Sequence, residues 1–198
     1  MKNFLDAVKN RRSIYGITNK SPIPDEKIIE IINTAVKHTP SAFNGQSQRV
    51  VVLFGDSHKK LWQIVENTLR KIVPEENFSS TKQKIGSFSA GYGTILYFDE
   101  TNTTKSLQEQ FPLYKDNFEV WAEHQNAMLQ FVIWTALEDA GFGASLQHYN
   151  PLIDEEVKNI FQIPPSWRLI AQMPFGLPTS PAGEKEFLPL SERIIVKK

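Results

Sequence analysis

Apolar residues recur along this chain at two spacings, and the alternation between them lays out the elements. Asn3 is placed to cap a short helix running to about Asn10, with Phe4, Leu5 and Val8 as its apolar face. From about Asp25, the residues Ile28, Ile31, Ile32, Ala35 and Val36 fall at helical spacing and predict a second helix. Residues 49–54 form a β-branched apolar run, predicted as a buried strand. Ser57 is positioned to cap a third helix carrying Leu61, Ile64, Val65, Leu69 and Ile72, with Pro74 as its stop. The following "EENFSSTKQKIG" holds no single period and predicts neither helix nor strand. "TILYFDE" reads as a second strand, and the polar "TNTTKSLQEQFPLYKDN" as a surface excursion. A long apolar helix is expected over about residues 117–140, ended by Gly141. "GASLQHY" is a short extended piece, Asp154 caps a brief helix, "WRLIAQMPFG" is a third strand, and "SERIIVKK" is a possible edge strand.

Helices and strands thus alternate without repeats, which predicts a central sheet of few strands flanked by helices in a single domain over residues 1–198. The long helix is unusual. Trp121, Met128, Phe131, Val132, Ile133 and Trp134 spread over too much of its circumference for a surface helix. Such a helix needs cover on every side, from its own core or from a second subunit. A subunit interface is the expectation, because obligate interfaces resemble a core cut in half.

Composition narrows the function classes. The chain carries 22 basic and 22 acidic residues, so its net charge gives no bulk attraction to nucleic acid or to an anionic membrane. It has no cysteine, which excludes disulfides, thiol nucleophiles and Cys-based metal sites. Lys2, Asp6, Lys9, Arg11 and Arg12 break up any secretory leader, so the cytoplasm is expected. Glu119, Glu123, His124, Glu138 and Asp139 interrupt the most apolar window too densely for a membrane span. The glycine pairs "GYG" and "GFG" lack the third glycine of a dinucleotide fingerprint, and no Walker loop or G-x-S-x-G elbow occurs. His38, His58, His124 and His148 are scattered, without metal spacing. With no nucleophile, base or metal set in the sequence, any reaction here would be carried by a cofactor.

Two stretches hold candidate binding chemistry. "NRRSIYG" ends the first helix with two adjacent guanidiniums and a hydroxyl. Either the cations complement the helix dipole, or Arg11, Arg12 and Ser13 form a phosphate site from planar and neutral donors. "TPSAFNGQ" sets Pro40, Ser41, Ala42, Asn44 and Gln46 directly before a buried strand. It is either an ordinary helix-to-strand turn or a reader for a flat polar ligand. Lys185 in "GEKEFLPL" is a further cation, by itself most simply a solvated one.

Taken in order, "RRS", "PSAFNGQ", "GFGASLQ" and "PFGLP" followed by Lys185 resemble the nitroreductase family of FMN enzymes, in its short bacterial and fungal branch. The resemblance spans almost the whole chain. It implies an α+β fold with a mostly antiparallel central sheet, and a homodimer with FMN at the interface beside the long helix. By the same resemblance Arg11, Arg12 and Ser13 would hold the FMN phosphate and ribityl chain, with Lys185 assisting. Pro40, Ser41, Ala42, Asn44 and Gln46 would line the isoalloxazine from the opposite subunit. Gln147 and His148 would sit beside flavin N5, offering backbone N–H groups, and Lys84 matches a further flavin contact. The chain departs from the family at Tyr15, where a basic residue is common, and at Glu186 and Phe187, where a second cation is common.

The activity implied is hydride transfer from NAD(P)H through flavin N5 to small aromatic acceptors, nitroaromatics or quinones, in a ping-pong cycle. A flavin-binding stress or regulatory protein with little turnover is the alternative from another class. A flavin dehydrogenase or dehalogenase on the same fold is a third.

Overall fold

The computed structural model describes residues 3–198; Lys2 lies outside them. Helix α1 (Phe4–Asn10) is capped as expected, the Asn3 side chain accepting from the Asp6 N–H at 3.0 Å. Its buried residue is Ala7, however, while Phe4 and Leu5 face solvent. Strand β1 (Ile17–Thr18) is followed by α2 (Asp25–His38), which buries Ile28, Ile32 and Ala35, and then by β2 (Gln48–Phe54). Helix α3 (Gly55–Arg70) starts two residues before the expected cap at Ser57, with no side-chain cap at Phe54. The stretch without a clear period is α4 (Glu75–Ser89), anchored by Phe78, Ile85 and Phe88.

Strand β3 (Gly93–Glu100) leads into α5 (Thr101–Gln110) and a 3-10 turn (Pro112–Asn117), so the expected irregular excursion is mostly helical. Then come α6 (Phe118–Asp139), β4 (Gly143–Ala144), α7 (Asp154–Phe161) and β5 (Trp167–Pro178). Asp154 is the first residue of α7, and Ile153 occupies the cap without a side-chain bond. The tail forms a 3-10 turn (Leu190–Glu192) and no strand.

All strand pairs are antiparallel, in the order β1-β5-β3-β2, with β4 also on β5. The α+β fold with an antiparallel sheet is therefore as expected. Strand β3 is buried on both faces and sorts its side chains with period two. Ile95 and Tyr97 pack with Ile28, Leu129 and Ile133 from α2 and α6. Leu96 and Phe98 pack with Leu61, Ile85 and Val157 from α3, α4 and α7. Two helical layers thus sandwich the sheet, and each buried side chain of this size contributes about 1.5–3 kcal/mol. Gly176 is fixed by close approach: a Cβ there would lie 2.1 Å from the Thr18 carbonyl oxygen.

Helix α6 gives Leu129, Ile133 and Leu137 to the core. It leaves Val120, Met128, Phe131 and Val132 between 38% and 50% exposed. The all-round apolar pattern is therefore half satisfied within one chain. Among the described residues, no helix is long and apolar enough to cross a membrane.

Candidate functional site

Helix α1 stops at Asn10, and Arg11 follows as its C-cap, its backbone N–H donating to the Ala7 carbonyl at 2.9 Å. The side chain turns onto α6 and lies 4.3 Å above the Trp134 ring. There its Nε is buried without a hydrogen-bond partner. Burial, and then the neighbouring Arg12 charge, push the Arg11 guanidinium below its ordinary value. Among the described residues neither arginine forms a side-chain ion pair, and Glu138 is the carboxylate that shares the cavity lining with Arg12. An unpartnered buried donor costs about 1–3 kcal/mol, which an anion at this corner would recover.

Ser13 runs parallel to β4, bridged to Ala144, and the Ile14 N–H donates to the Ala144 carbonyl at 2.9 Å. This closeness requires Gly143, where a Cβ would meet the Ile14 side chain at 2.8 Å. Arg12 lines a cavity of about 670 Å³ with Trp134, Gly143 and the start of the tail at Thr179–Ala182. Lys185 lies beyond that lining, with its ammonium 5.1 Å from the Phe187 ring.

One alternation beyond Ser13, Tyr15 is 49% exposed, its ring 5.9 Å from Phe88 of α4. Its neighbour Tyr149 is pushed above the ordinary tyrosine value, first by burial and then by Tyr15. Lys84 stands one turn before Phe88 on α4, exposed to solvent. The role expected of the Gln147 N–H needs correction. It donates to the Gln172 carbonyl at 2.7 Å, and the Gln172 N–H returns a bond to the Gln147 carbonyl at 2.9 Å. The Gln147 side chain is also buried, on Ser145 Oγ at 3.1 Å. The N–H of His148, which is exposed, has no hydrogen-bond partner among the described residues.

The second group of expected residues forms the α2–β2 loop. A short 3-10 turn (Ala42–Asn44) holds Phe43 at φ 52° and Asn44 at φ 55°, and Gln46 follows at φ 50°. Left-handed backbone at three non-glycine residues costs about 1–3 kcal/mol each and persists only under strong local constraint. Those constraints are visible. Ser41 Oγ accepts from the Gln46 N–H at 3.0 Å, Gln46 Nε2 donates to the Asn44 carbonyl at 3.2 Å, and Gln48 Nε2 donates to the Pro40 carbonyl at 3.3 Å. Arg49 donates to the Gln46 carbonyl at 2.6 Å, and the Ala42 N–H donates to Gln125 Oε1 at 3.1 Å. The Ala42 donor is thereby withheld from any ligand. Phe43 projects from the turn, with Phe111 at 4.4 Å, Phe118 at 5.5 Å and Tyr114 at 5.8 Å between ring centroids.

The two groups sit at opposite ends of the sheet. The loop enters β2 at Gln48, which pairs with Asp99, and Asp99 pairs with Arg168. The arginine corner meets β4, where Ala144 pairs with Phe175. From Arg168 to Phe175 is about 23 Å at roughly 3.3 Å per residue. Within one chain the two groups do not meet.

Sequence reasoning missed two features. Phe111, Tyr114, Phe118 and Trp121 recur at helical spacing from the end of the excursion into α6, a signal present but masked by the polar residues between them. The buried anchor of the loop, Gln125 with Ser47 and Asp99, gives no local signal, because its links span 52 and 78 positions.

The sequence profile of the nitroreductase family matches residues 8–177. The nitroreductase FRM2 of Saccharomyces cerevisiae is 32% identical over 188 residues, covering 94% of this chain and 93% of that protein. Structures of the nitroreductase CinD from Lactococcus lactis are 43% identical and cover 99% of this chain and 100% of that one. Their TM-scores are 0.91 with chloramphenicol bound, 0.90 with 4-nitrophenol and 0.87 with nicotinic acid. A Desulfovibrio desulfuricans structure in complex with FMN shares the fold at 18% identity and a TM-score of 0.72, covering 100% of this chain and 98% of that one.

Proposed function

Because this chain belongs to the nitroreductase family, we propose that it is an FMN-dependent oxidoreductase that reduces small nitroaromatics or quinones with NAD(P)H. The observation that carries the reading is the buried Nε of Arg11, which has no hydrogen-bond partner among the described residues and lies next to a second guanidinium, Arg12. That corner is a dianion site in waiting, and its donor set fits a phosphomonoester. Arg11, stacked on Trp134, offers a fixed planar fork, Arg12 adds charge, and Ser13 adds a hydroxyl.

FMN held by Arg11, Arg12 and Ser13 would supply the two-electron redox chemistry between NAD(P)H and the acceptor in a ping-pong cycle. The protein contributes binding, orientation and polarity. His148 presents its backbone N–H, and Tyr15 a phenol that donates one hydrogen bond without adding positive charge. Asn44 and Gln46, held in left-handed backbone, present amides for a flat polar edge. The nitroaromatic part of this reading is supported by the chloramphenicol and 4-nitrophenol in the structures of CinD.

The site is completed by a second copy of the chain. Met128, Phe131 and Val132 of α6 are exposed, and the adjoining groove of about 560 Å³ between α2 and α6 is lined by Ile23, Ile31 and Ala136. Burying this face in a homodimer would carry the loop of one subunit to the arginine corner of the other, which 23 Å of sheet (about seven strand residues) prevents within one chain.

The test is the flavin released on denaturing the purified protein. About one FMN per chain, and a dimeric mass, support the proposal. A colourless protein that takes up no added FMN would contradict it.

A further inference from the structure

A buried carboxylate far from the arginine corner is connected to the cofactor-facing loop by a chain of hydrogen bonds. The Ala42 N–H donates to Gln125 Oε1 at 3.1 Å, Gln125 Nε2 donates to Ser47 Oγ at 2.5 Å, and the Ser47 hydroxyl donates to Asp99 Oδ1 at 2.5 Å. The other oxygen of Asp99 accepts from the Thr104 hydroxyl at 3.2 Å. Ser47, Gln125 and Asp99 are all buried. Nearby charges lie outside the chain: Arg168 is paired with Glu123 at 2.5 Å.

The direction of these bonds is forced. A backbone N–H only donates, so the Gln125 amide must turn its oxygen to Ala42 and its nitrogen to Ser47. Ser47 has one proton, and while its oxygen accepts from Gln125 that proton must go to an acceptor. An ionised carboxylate only accepts, so Asp99 sets the polarity of the whole chain. Burial, with the Glu123 charge adding to it, raises Asp99 above its ordinary value, and the Ser47 bond, the Arg168 charge and the Thr104 bond offset only part of that rise. A leucine at position 99 would offer the Ser47 hydroxyl no acceptor. Its proton could then turn to Gln125, and the flipped amide would oppose its own N–H to that of Ala42.

We propose that Asp99 is a positioning residue for the cofactor: acting through Ser47 and Gln125, it fixes Ala42 and so holds the left-handed turn that presents Asn44 and Gln46. The proposal rests on the reading that residues 40–46 meet the flavin. It accounts for a buried carboxylate at a sheet position where, among the described residues, no cation forms an ion pair with it.

The experiment uses the FMN-loaded protein, with Asp99→Leu and Gln125→Met. The second keeps the volume in α6 while removing both bonds, and it decides the matter if the first does not fold. Three readouts are taken: hydrogen exchange at Ala42 against Ile95 and Ala171, the visible circular dichroism of bound FMN, and the FMN dissociation constant. Ala42 should exchange about fivefold faster or more in both variants, with the strand amides unchanged. The flavin dichroism should change alongside, and FMN should bind about fivefold more weakly. Unchanged exchange at Ala42, or acceleration spread equally over Ile95 and Ala171, overturns the proposal. Faster exchange with unaltered dichroism also overturns it, and Asn44→Ala then locates the error. If Asn44→Ala alters dichroism and affinity, the loop meets the flavin and only the relay is wrong. If it alters neither, the loop does not meet the flavin.

Discussion

Replacing Arg11 with alanine separates a ligand-binding arginine from a helix-capping one, because the two roles predict opposite splits between affinity and stability. In the free protein the change removes a cation–π contact with Trp134, worth about 0.5–1 kcal/mol where partly exposed. It also removes a buried Nε that lacks a partner, and relieves the crowding with Arg12. The C-cap bond to Ala7 comes from the backbone N–H, which alanine retains. Gain and loss nearly cancel, leaving a net change within about 1 kcal/mol and a melting shift under roughly 4 °C at this chain length. Binding of FMN should suffer far more. A charge-assisted bond to phosphate is worth about 1.5–3 kcal/mol, which is roughly a 10- to 150-fold rise in Kd. Arg11→Lys, which keeps the charge and loses the fork, should fall between. Titration of apoprotein with FMN, followed by flavin fluorescence, gives the affinities, and thermal denaturation of the same apoproteins gives the stabilities. An unchanged Kd, or a loss of affinity matched by a melting temperature lowered by more than about 10 °C, would refute the phosphate assignment.

Phe131→Glu on the exposed face of α6 should produce monomers in light scattering, because a carboxylate in that interface costs several kcal/mol; a variant that stays dimeric at low concentration contradicts the interface. Trp134→Glu is the poorer probe, since its carboxylate would lie beside Arg11. Tyr15→Lys should raise the flavin midpoint potential by roughly 30 mV if the ammonium favours the anionic reduced flavin by about 1.4 kcal/mol. An unmoved potential with a lowered melting temperature would leave Tyr15 as packing against Phe88. His58 is buried between Thr94 Oγ1 at 2.8 Å and the Ser89 carbonyl at 3.1 Å, and burial lowers its pKa. The unfolded chain therefore takes the proton first: stability is complete above the ordinary value of 6.5 and declines as pH falls through it towards the lowered folded value. Melting temperatures of wild type and His58→Gln should diverge least in mild acid, and parallel pH profiles would contradict that sign.

Where burial imposes a period on neighbouring residues, the sequence was readable. Helices α2 and α6 and strands β2, β3 and β5 stand where their patterns predict, because each packs an unbroken stripe against the two core layers. Helix α4 hides because its three buried residues, Phe78, Ile85 and Phe88, are separated by polar turns that face water. Helix α5 buries Thr104 alone and is held by a cap from the Glu100 side chain to the Asn102 N–H at 3.0 Å. The tail shows the converse error. Ile194, Ile195 and Val196 have strand composition, but a strand needs a pairing edge and the tail meets none. At the site, Arg11, Arg12 and Ser13 were legible as adjacent donors at a helix end. The use of the Gln147 N–H by Gln172 was not, since strand pairing decides it. Nor was the Asp99 relay, whose members meet only after the sheet and α6 have assembled.

The central claim, electron transfer through bound FMN, is tested most directly by mixing the FMN-loaded protein anaerobically with NADH or NADPH and following the visible flavin band. The account predicts rapid bleaching by at least one nucleotide, and full recovery on adding a nitroaromatic such as 4-nitrophenol or a quinone. A flavin band that neither nucleotide bleaches would contradict it, and would make the protein a flavin carrier without turnover.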